Sequence, residues 1–401
     1  MSEIKEQQPA YISRVHLKGY KSIRDLSIDF KAGLNIIIGP NGSGKTNFLE
    51  FLSDTYTGID DNANIIGNEV DFKLVAQVKE GTFIHKIKGE FELVKDNFIF
   101  KIRETLIENK IIKLDNEVHY SNGSLKSMVN VILHHELEDE ENDAKNRFSY
   151  IYDVVSIKYN NIFNKLLQNA LAFRFRRKNN MIFSLSDFNQ DFALIPFFTH
   201  IKFKRLIRIE KNEKPNLLDS LSISTELTDA LSIFTPIKSV KFDENSHWQI
   251  EENDELVLDG VRLLFNVNDQ WWNWNQLSDG TKRMFYIFCN VLNHHDLYAF
   301  IEEPELGIHP QQLSLLMDFL REQSREKQII ITTHSPQVLN ELGEDELDRI
   351  IVTRHEGSER GTQMYHLSEE EKGFARQYMQ NGAFLSDYWV QSGFVKEEAI
   401  G

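Results

Sequence analysis

Gly39-Pro40-Asn41-Gly42-Ser43-Gly44-Lys45-Thr46 is the segment of this chain with the clearest chemical content. Its glycines let the backbone curl so that successive N–H groups point inward, a cradle for phosphate oxygens. A helix beginning at its end adds the positive end of a dipole. Lys45 is spaced to contact the β- and γ-phosphates of a nucleoside triphosphate, and the Thr46 hydroxyl to ligate Mg²⁺. The whole run, Gly39 to Thr46, is therefore the candidate site for ATP.

Three further segments could complete such a site. Ala299-Phe-Ile-Glu302-Glu303-Pro304 is an apolar run that ends in two carboxylates. At the C-terminal end of a buried strand these would lie beside the phosphate loop of a doubly wound sheet. Glu302 is then the candidate Mg²⁺ ligand, and Glu303 the group that orients or deprotonates the attacking water. In Thr332-Thr333-His334-Ser335-Pro336 a histidine follows another buried strand, where an imidazole can contact the γ-phosphate. Leu277-Ser278-Asp279-Gly280 opens an apolar helix, so Ser278 and the Gly280 amide form a second anion site. One phosphate loop already serves the γ-phosphate within a subunit, so this second site is best explained if it faces the nucleotide of a partner subunit.

The elements that must position these residues can be read from periodicity. Tyr11–Leu17 and Leu26–Phe30 alternate as strands, Lys31–Gly33 is a turn, and Leu34–Ile38 is a short buried strand. Thr46–Leu52 begins a helix, which gives the strand–loop–helix context the phosphate loop needs. Val70 to about Leu114 reads as an antiparallel sheet. After Trp271, buried strands at Leu297–Ile301, Gln328–Thr332 and Asp348–Val352 alternate with helices, as in a largely parallel α/β core.

Three domain segments follow: 11–115 as the first half of a nucleotide-binding head with a β-subdomain, 116–255 as a mainly helical insertion, and 256–401 as the second half. The insertion holds an acidic stretch, Glu136–Asp143, and two basic ones, Phe173–Lys178 and Lys202–Arg208. Arg174, Arg176, Arg177 and Lys178, with Lys202, Lys204, Arg205 and Arg208, could track a nucleic-acid backbone. They could equally be cations on the solvated face of amphipathic strands or helices, or part of a surface that docks a partner protein. The pairs His134-His135 and His294-His295 have no carboxylate or cysteine at a useful spacing and read as structural.

Composition narrows the classes. A net charge of −16 over 401 residues argues against a uniformly basic nucleic-acid coat. The one cysteine, Cys289, precludes an intramolecular disulfide framework and a cysteine-based zinc site. No run of 18 apolar residues exists, and the first residues are polar and charged, so a cytoplasmic protein without a membrane span is expected.

The four motifs in this order resemble the ABC-type ATPases of the RecF, SMC and OLD branch. Leu17-Lys-Gly-Tyr-Lys-Ser-Ile23 is similar to that branch's F-[KR]-S start, and Glu303-Pro-Glu-Leu-Gly-Ile-His-Pro310 to its E-P-E-x-x-L-H-P segment. The resemblance covers about residues 11–115 and 260–355. It implies a head that dimerises around two ATP molecules, each between one subunit's Lys45 loop and the other's Ser278–Gly280 turn. It further implies work in DNA repair, as in RecF, or in bacterial anti-phage defence with a nuclease or toxin as partner, with DNA as another candidate partner. Glu302 and Asp279 depart from the family's usual aspartate and glycine, and Gln77 is the candidate for the magnesium-linking glutamine. The long interval between Thr46 and Leu277 disfavours a transporter ATPase, and the absence of sustained heptads disfavours a long-armed SMC. The short stretch after His334 leaves little room for an OLD-type nuclease. The expected protein is thus an ATPase switch of α/β class that gates an effector; a nucleotide-dependent scaffold with little turnover is the alternative.

Overall fold

A computed structural model describes residues 11–57, 69–78, 81–94, 97–107, 110–112, 154–157, 171–178, 181–183, 200–203, 221–243, 247–250, 255–292 and 297–392. The chain forms two compact units. The first comprises Met1–Ile157, His294–Glu305 and Leu320–Gly401; the second comprises Lys158–Asn293 and Leu306–Phe319.

Two six-stranded sheets build the first unit. One is antiparallel, in the order Ile23–Asp29, Tyr11–Tyr20, Glu69–Val78, Gly81–Val94, Asn97–Ile107, Lys110–Ile112. In Tyr11–Tyr20 the buried side chains change parity, from Ile12 to Val15 and Leu17. A register shift between Ile12 and Arg14 accounts for this, because one extra residue turns every later side chain to the opposite face.

The other sheet has the order Thr362–His366, Ile350–His355, Leu34–Ile38, Gln328–Thr333, Tyr298–Glu302, Val154–Ile157. All its pairings are parallel except that of the edge strand Thr362–His366. Leu34–Ile38 and Gln328–Thr333 are buried along their whole length, as parallel strands covered on both faces must be. Gln328 ties the two sheets together: its Oε1 accepts from the Ile12 N–H at 2.9 Å, and its Nε2 donates to the carbonyls of Ile12 and Lys31. Because the strands run parallel, the segments following Ile38, Glu302 and Thr333 emerge at the same edge of the sheet.

In the second unit, Met181–Phe183, Leu171–Lys178, Glu255–Val261 and His247–Ile250 form an antiparallel sheet in that order. A three-stranded sheet joins Ile237–Phe242, Leu263–Val267 and Gln270–Asn273. The last two strands meet at Asn268-Asp269, both at positive φ (53° and 62°), residue types that tolerate the tight hairpin turn. The helix that follows Ser278, Asp279–Val291, packs in an aromatic core where the Phe288 ring stacks on Phe319 at 3.8 Å. His200 is buried here, with Nε2 2.9 Å from the Cys289 carbonyl and Nδ1 3.2 Å from Ser224 Oγ.

One sequence expectation changes. Val154–Ile157, expected within the insertion, is a strand of the parallel sheet beside Tyr298–Glu302. Among the described residues of 116–255, most lie in strands rather than helices; Thr225–Phe234 is the one described α-helix. The physical reason is visible in Phe173-Arg-Phe-Arg, whose period of two belongs to a strand. Glu136–Asp143, His134-His135, His294-His295, Lys204, Arg205 and Arg208 lie outside the described residues.

Candidate active site at the ends of the core strands

The phosphate loop leaves the buried strand Leu34–Ile38 and enters helix Lys45–Thr57. Gly42 and Gly44 have φ of +77° and +99°, the alternation that turns backbone N–H groups into an anion nest. Two of its glycines are also needed for close approach. A Cβ on Gly39 would lie 2.3 Å from the Thr353 carbonyl oxygen, and one on Gly44 would lie 2.0 Å from Thr362 Oγ1. Ser43 Oγ is buried in the loop with no hydrogen-bond partner. Pro40, Asn41 and Gly42 are exposed at its tip.

Lys45 is buried, and its Nζ donates to the Gly39 and Pro40 carbonyls at 2.7 and 3.0 Å. Burial lowers its pKa, while the charges of Glu303, Glu305 and Glu302 act in the opposite direction. Its ammonium thus bonds within the loop and lies in the field of three carboxylates.

Behind the loop, the Lys21-Ser22 turn braces the helix. Lys21 pairs with Glu50 at 2.5 Å, Asn47 Nδ2 donates to Ser22 Oγ at 2.7 Å, and Ser22 Oγ bonds Thr362 Oγ1 at 2.7 Å. The F-[KR]-S-like start therefore contacts the phosphate-loop helix and the same Thr362 that crowds Gly44.

The carboxylate strand, Tyr298–Glu302, places its last residue against the loop: Thr46 Oγ1 donates to Glu302 Oε1 at 2.5 Å. The two expected magnesium ligands thus touch. Glu303 follows with φ of +44°, a left-handed conformation that costs a non-glycine residue about 1–3 kcal/mol and that often marks functional sites. Its N–H donates to the Thr332 carbonyl at 2.8 Å. His334 Nδ1 lies 2.8 Å from Glu303 Oε1, so the ring N–H donates to the carboxylate and Nε2 stays outside the pair. Both side chains keep partial access to solvent.

Two residues not singled out from the sequence join this group. Glu305 is buried, and its Oε1 accepts from Thr333 Oγ1 at 2.5 Å. Thr333 Oγ1 in turn accepts from the Ser335 N–H at 2.9 Å. The only local signal for them was their place in the Glu-Pro-Glu and Thr-Thr-His-Ser runs.

Ser278 and Gly280 belong to the second unit. Ser278 caps helix Asp279–Val291 by accepting from the Thr281 N–H at 3.2 Å. Gly280 is packed so closely on the Gly307 carbonyl that a Cβ would sit 2.5 Å from it. Gln77 lies within strand Glu69–Val78 of the antiparallel sheet, opposite Tyr11 and Thr82, and not in a loop after a core strand.

Residues 34–340 match the protein family described as "AAA domain, putative AbiEii toxin, Type IV TA system". The chain is 30% identical over 93 residues to "DNA replication and repair protein RecF" of Cytophaga hutchinsonii, covering 22% of this chain and 25% of that relative. It thus spans about a quarter of that relative's length. It is 22% identical over 383 residues to "ATP/GTP phosphatase" of Helicobacter pylori, covering 90% of this chain and 93% of the relative. Among solved structures, an Smc head bound to the C-winged helix domain of ScpA superposes with a TM-score of 0.53 at 14% identity, over 90% of this chain and 99% of that one, which shows the fold. No helix among the described residues is long and apolar enough to cross a membrane. With a family match over well more than half of its length, the chain belongs to this AAA-domain family; it is similar in part of its sequence to RecF and shares the fold of an Smc head.

Proposed function

We propose that this chain binds ATP with Mg²⁺ at the Gly39–Thr46 loop, hydrolyses it with Glu303 and His334, and uses the cycle to switch an effector. The observation that carries the reading is the Glu303–His334 pair, held at 2.8 Å at the ends of neighbouring parallel strands beside the phosphate-loop strand.

Lys45 would leave its carbonyl contacts to neutralise the β- and γ-phosphates, with the loop N–H groups around them. The donor set fits a hard cation, since Thr46 and Glu302 offer only oxygen. Among the described residues no group of three or more His, Cys, Asp or Glu could hold a metal, so phosphate oxygens and water would fill the shell. When bound, Mg²⁺ would offset charge on the phosphates. Glu303 takes a proton from a water whose oxygen bonds the γ-phosphorus, while the bond to the β–γ bridging oxygen breaks and ADP leaves with that electron pair. His334, oriented by Glu303, contacts the γ-phosphate.

Self-association through Ser278 and Gly280 of a second subunit would make ATP an assembly signal as well as a substrate. The family's type IV toxin–antitoxin description agrees with a toxin-linked role; within that role we read the chain as acting in anti-phage defence, with a nuclease or toxin as the controlled partner. The RecF relative supports a DNA-repair role as the second reading. A cytoplasmic protein fits both.

Oligomeric state by light scattering, with and without ATP, tests the assembly step. ATP should enlarge the wild type, while Lys45→Ala and Ser278→Arg should not respond. A wild type whose size is indifferent to ATP would contradict the switch.

A further inference from the structure

Two loops carry the chemistry proposed above, one after the carboxylate strand and one after the histidine strand. Side chains that have no part in that chemistry lace them together. Glu305 and Thr333 are both buried, to 9% and 0% exposure. Burying a carboxyl in a loop is unfavourable unless it is bonded, and here Oε2 has no partner at all. A leucine would fill the place at lower cost, so what Glu305 supplies is the nearer acceptor for the Thr333 hydroxyl, at 2.5 Å against 3.3 Å to the Ser335 carbonyl.

That nearer acceptor fixes a chain of contacts. The Thr333 hydroxyl donates to Glu305 Oε1 at 2.5 Å and accepts from the Ser335 N–H at 2.9 Å. His334 sits between these two anchored residues, so its backbone is held on both sides and only its own two torsions remain. Glu303 is held likewise. Its N–H is bonded to Thr332, and Pro304, with a fixed φ, joins it to the anchored Glu305. A left-handed glutamate needs such restraint, since an unrestrained chain would relax to negative φ.

We infer that Glu305 and Thr333 are a positioning pair that holds His334 against Glu303 in the hydrolytic arrangement. The inference rests on the reading of Glu303 and His334 given above. What the pair supplies is hydrogen-bond geometry and not charge. Burial of Glu305, which raises its pKa, agrees with a group that works equally well when neutral.

The test is a variant set read two ways. By steady-state kinetics, Thr333→Val should lower kcat roughly 10–100-fold with KM for ATP unchanged, the size expected when a catalytic group is misplaced by about an ångström. Thr333→Ser should restore kcat, and Glu305→Gln, which keeps the accepting oxygen, should stay within a few-fold of wild type. By ¹⁵N NMR of histidine-labelled protein, the His334 ring signal, assigned with His334→Gln, should shift in Thr333→Val and return in Thr333→Ser. An unmoved ring signal with wild-type kcat in Thr333→Val would overturn the inference. A loss in Glu305→Gln as large as in Glu303→Gln would also overturn it, because Glu305 would then act on the reaction itself. If instead Glu303→Gln turns over normally, the hydrolytic reading fails, and the ring signal still decides whether the pair positions His334.

Discussion

The phosphate loop and the carboxylate–histidine loops lie at the same edge of one sheet, yet they are built by opposite means. Gly39–Thr46 is shaped by backbone: positive φ at Gly42 and Gly44, and approaches at Gly39 and Gly44 too close for any Cβ. The loops at Glu303–Glu305 and Thr332–Ser335 are shaped by side chains bonded across two strands. A backbone-built site rejects a Cβ wherever another segment packs against it, as Thr353 does at Gly39 and Thr362 at Gly44. A side-chain-laced site accepts isosteric change and fails when one bond of the lace is cut.

Substitutions can break or sharpen this contrast. The largest effect is expected for Gly44→Ala, where the new Cβ would lie 2.0 Å from Thr362 Oγ1 at a φ of +99°. Overpacking of about 1–3 kcal/mol adds to about 1–2 kcal/mol of left-handed backbone strain, so ATP binding by calorimetry should be lost. Gly42→Ala meets nothing within 4 Å and carries only the backbone term. It should lower Tm by a few degrees and weaken ATP binding about 10-fold. Equal effects in the two variants would mean that close packing on Thr362 does not shape the loop.

The smallest effect lies in the laced region and depends on pH. Burial, with the nearby Glu303 charge, holds the folded pKa of Glu305 above the usual glutamate value. Its contribution to stability is then fully present below the unfolded pKa and lost as pH rises through the folded one. Glu305→Gln removes that loss. Its Tm should exceed wild type by a margin that widens from about pH 5 to about pH 8. A margin that narrows over that range would show that the ionised carboxylate is favoured in the fold.

The same contrast explains what could be read from the sequence. The phosphate loop was legible because all its determinants fall within eight consecutive positions, behind a strand buried on both faces. Glu302, Glu303 and His334 were legible from the apolar strands that deliver them. Glu305–Thr333 was not, because its meaning lies in a bond between residues 28 apart. Val154–Ile157 escaped for a similar reason, since four residues carry too short a pattern to show a parallel pairing with Tyr298–Ile301. In the region expected to be mainly helical, the Phe–Arg alternation had left strand or helix open, and pairing with Glu255–Val261 decided for strand.

The central claim is that the Glu303–His334 pair performs hydrolysis at the site the phosphate loop forms. Single-turnover release of γ-phosphate from prebound ATP, for wild type and Glu303→Gln, tests it most directly. Loss of a general base should slow release by about 10²–10⁴-fold while ATP stays bound with normal affinity. Equal release rates in the two proteins would contradict the claim.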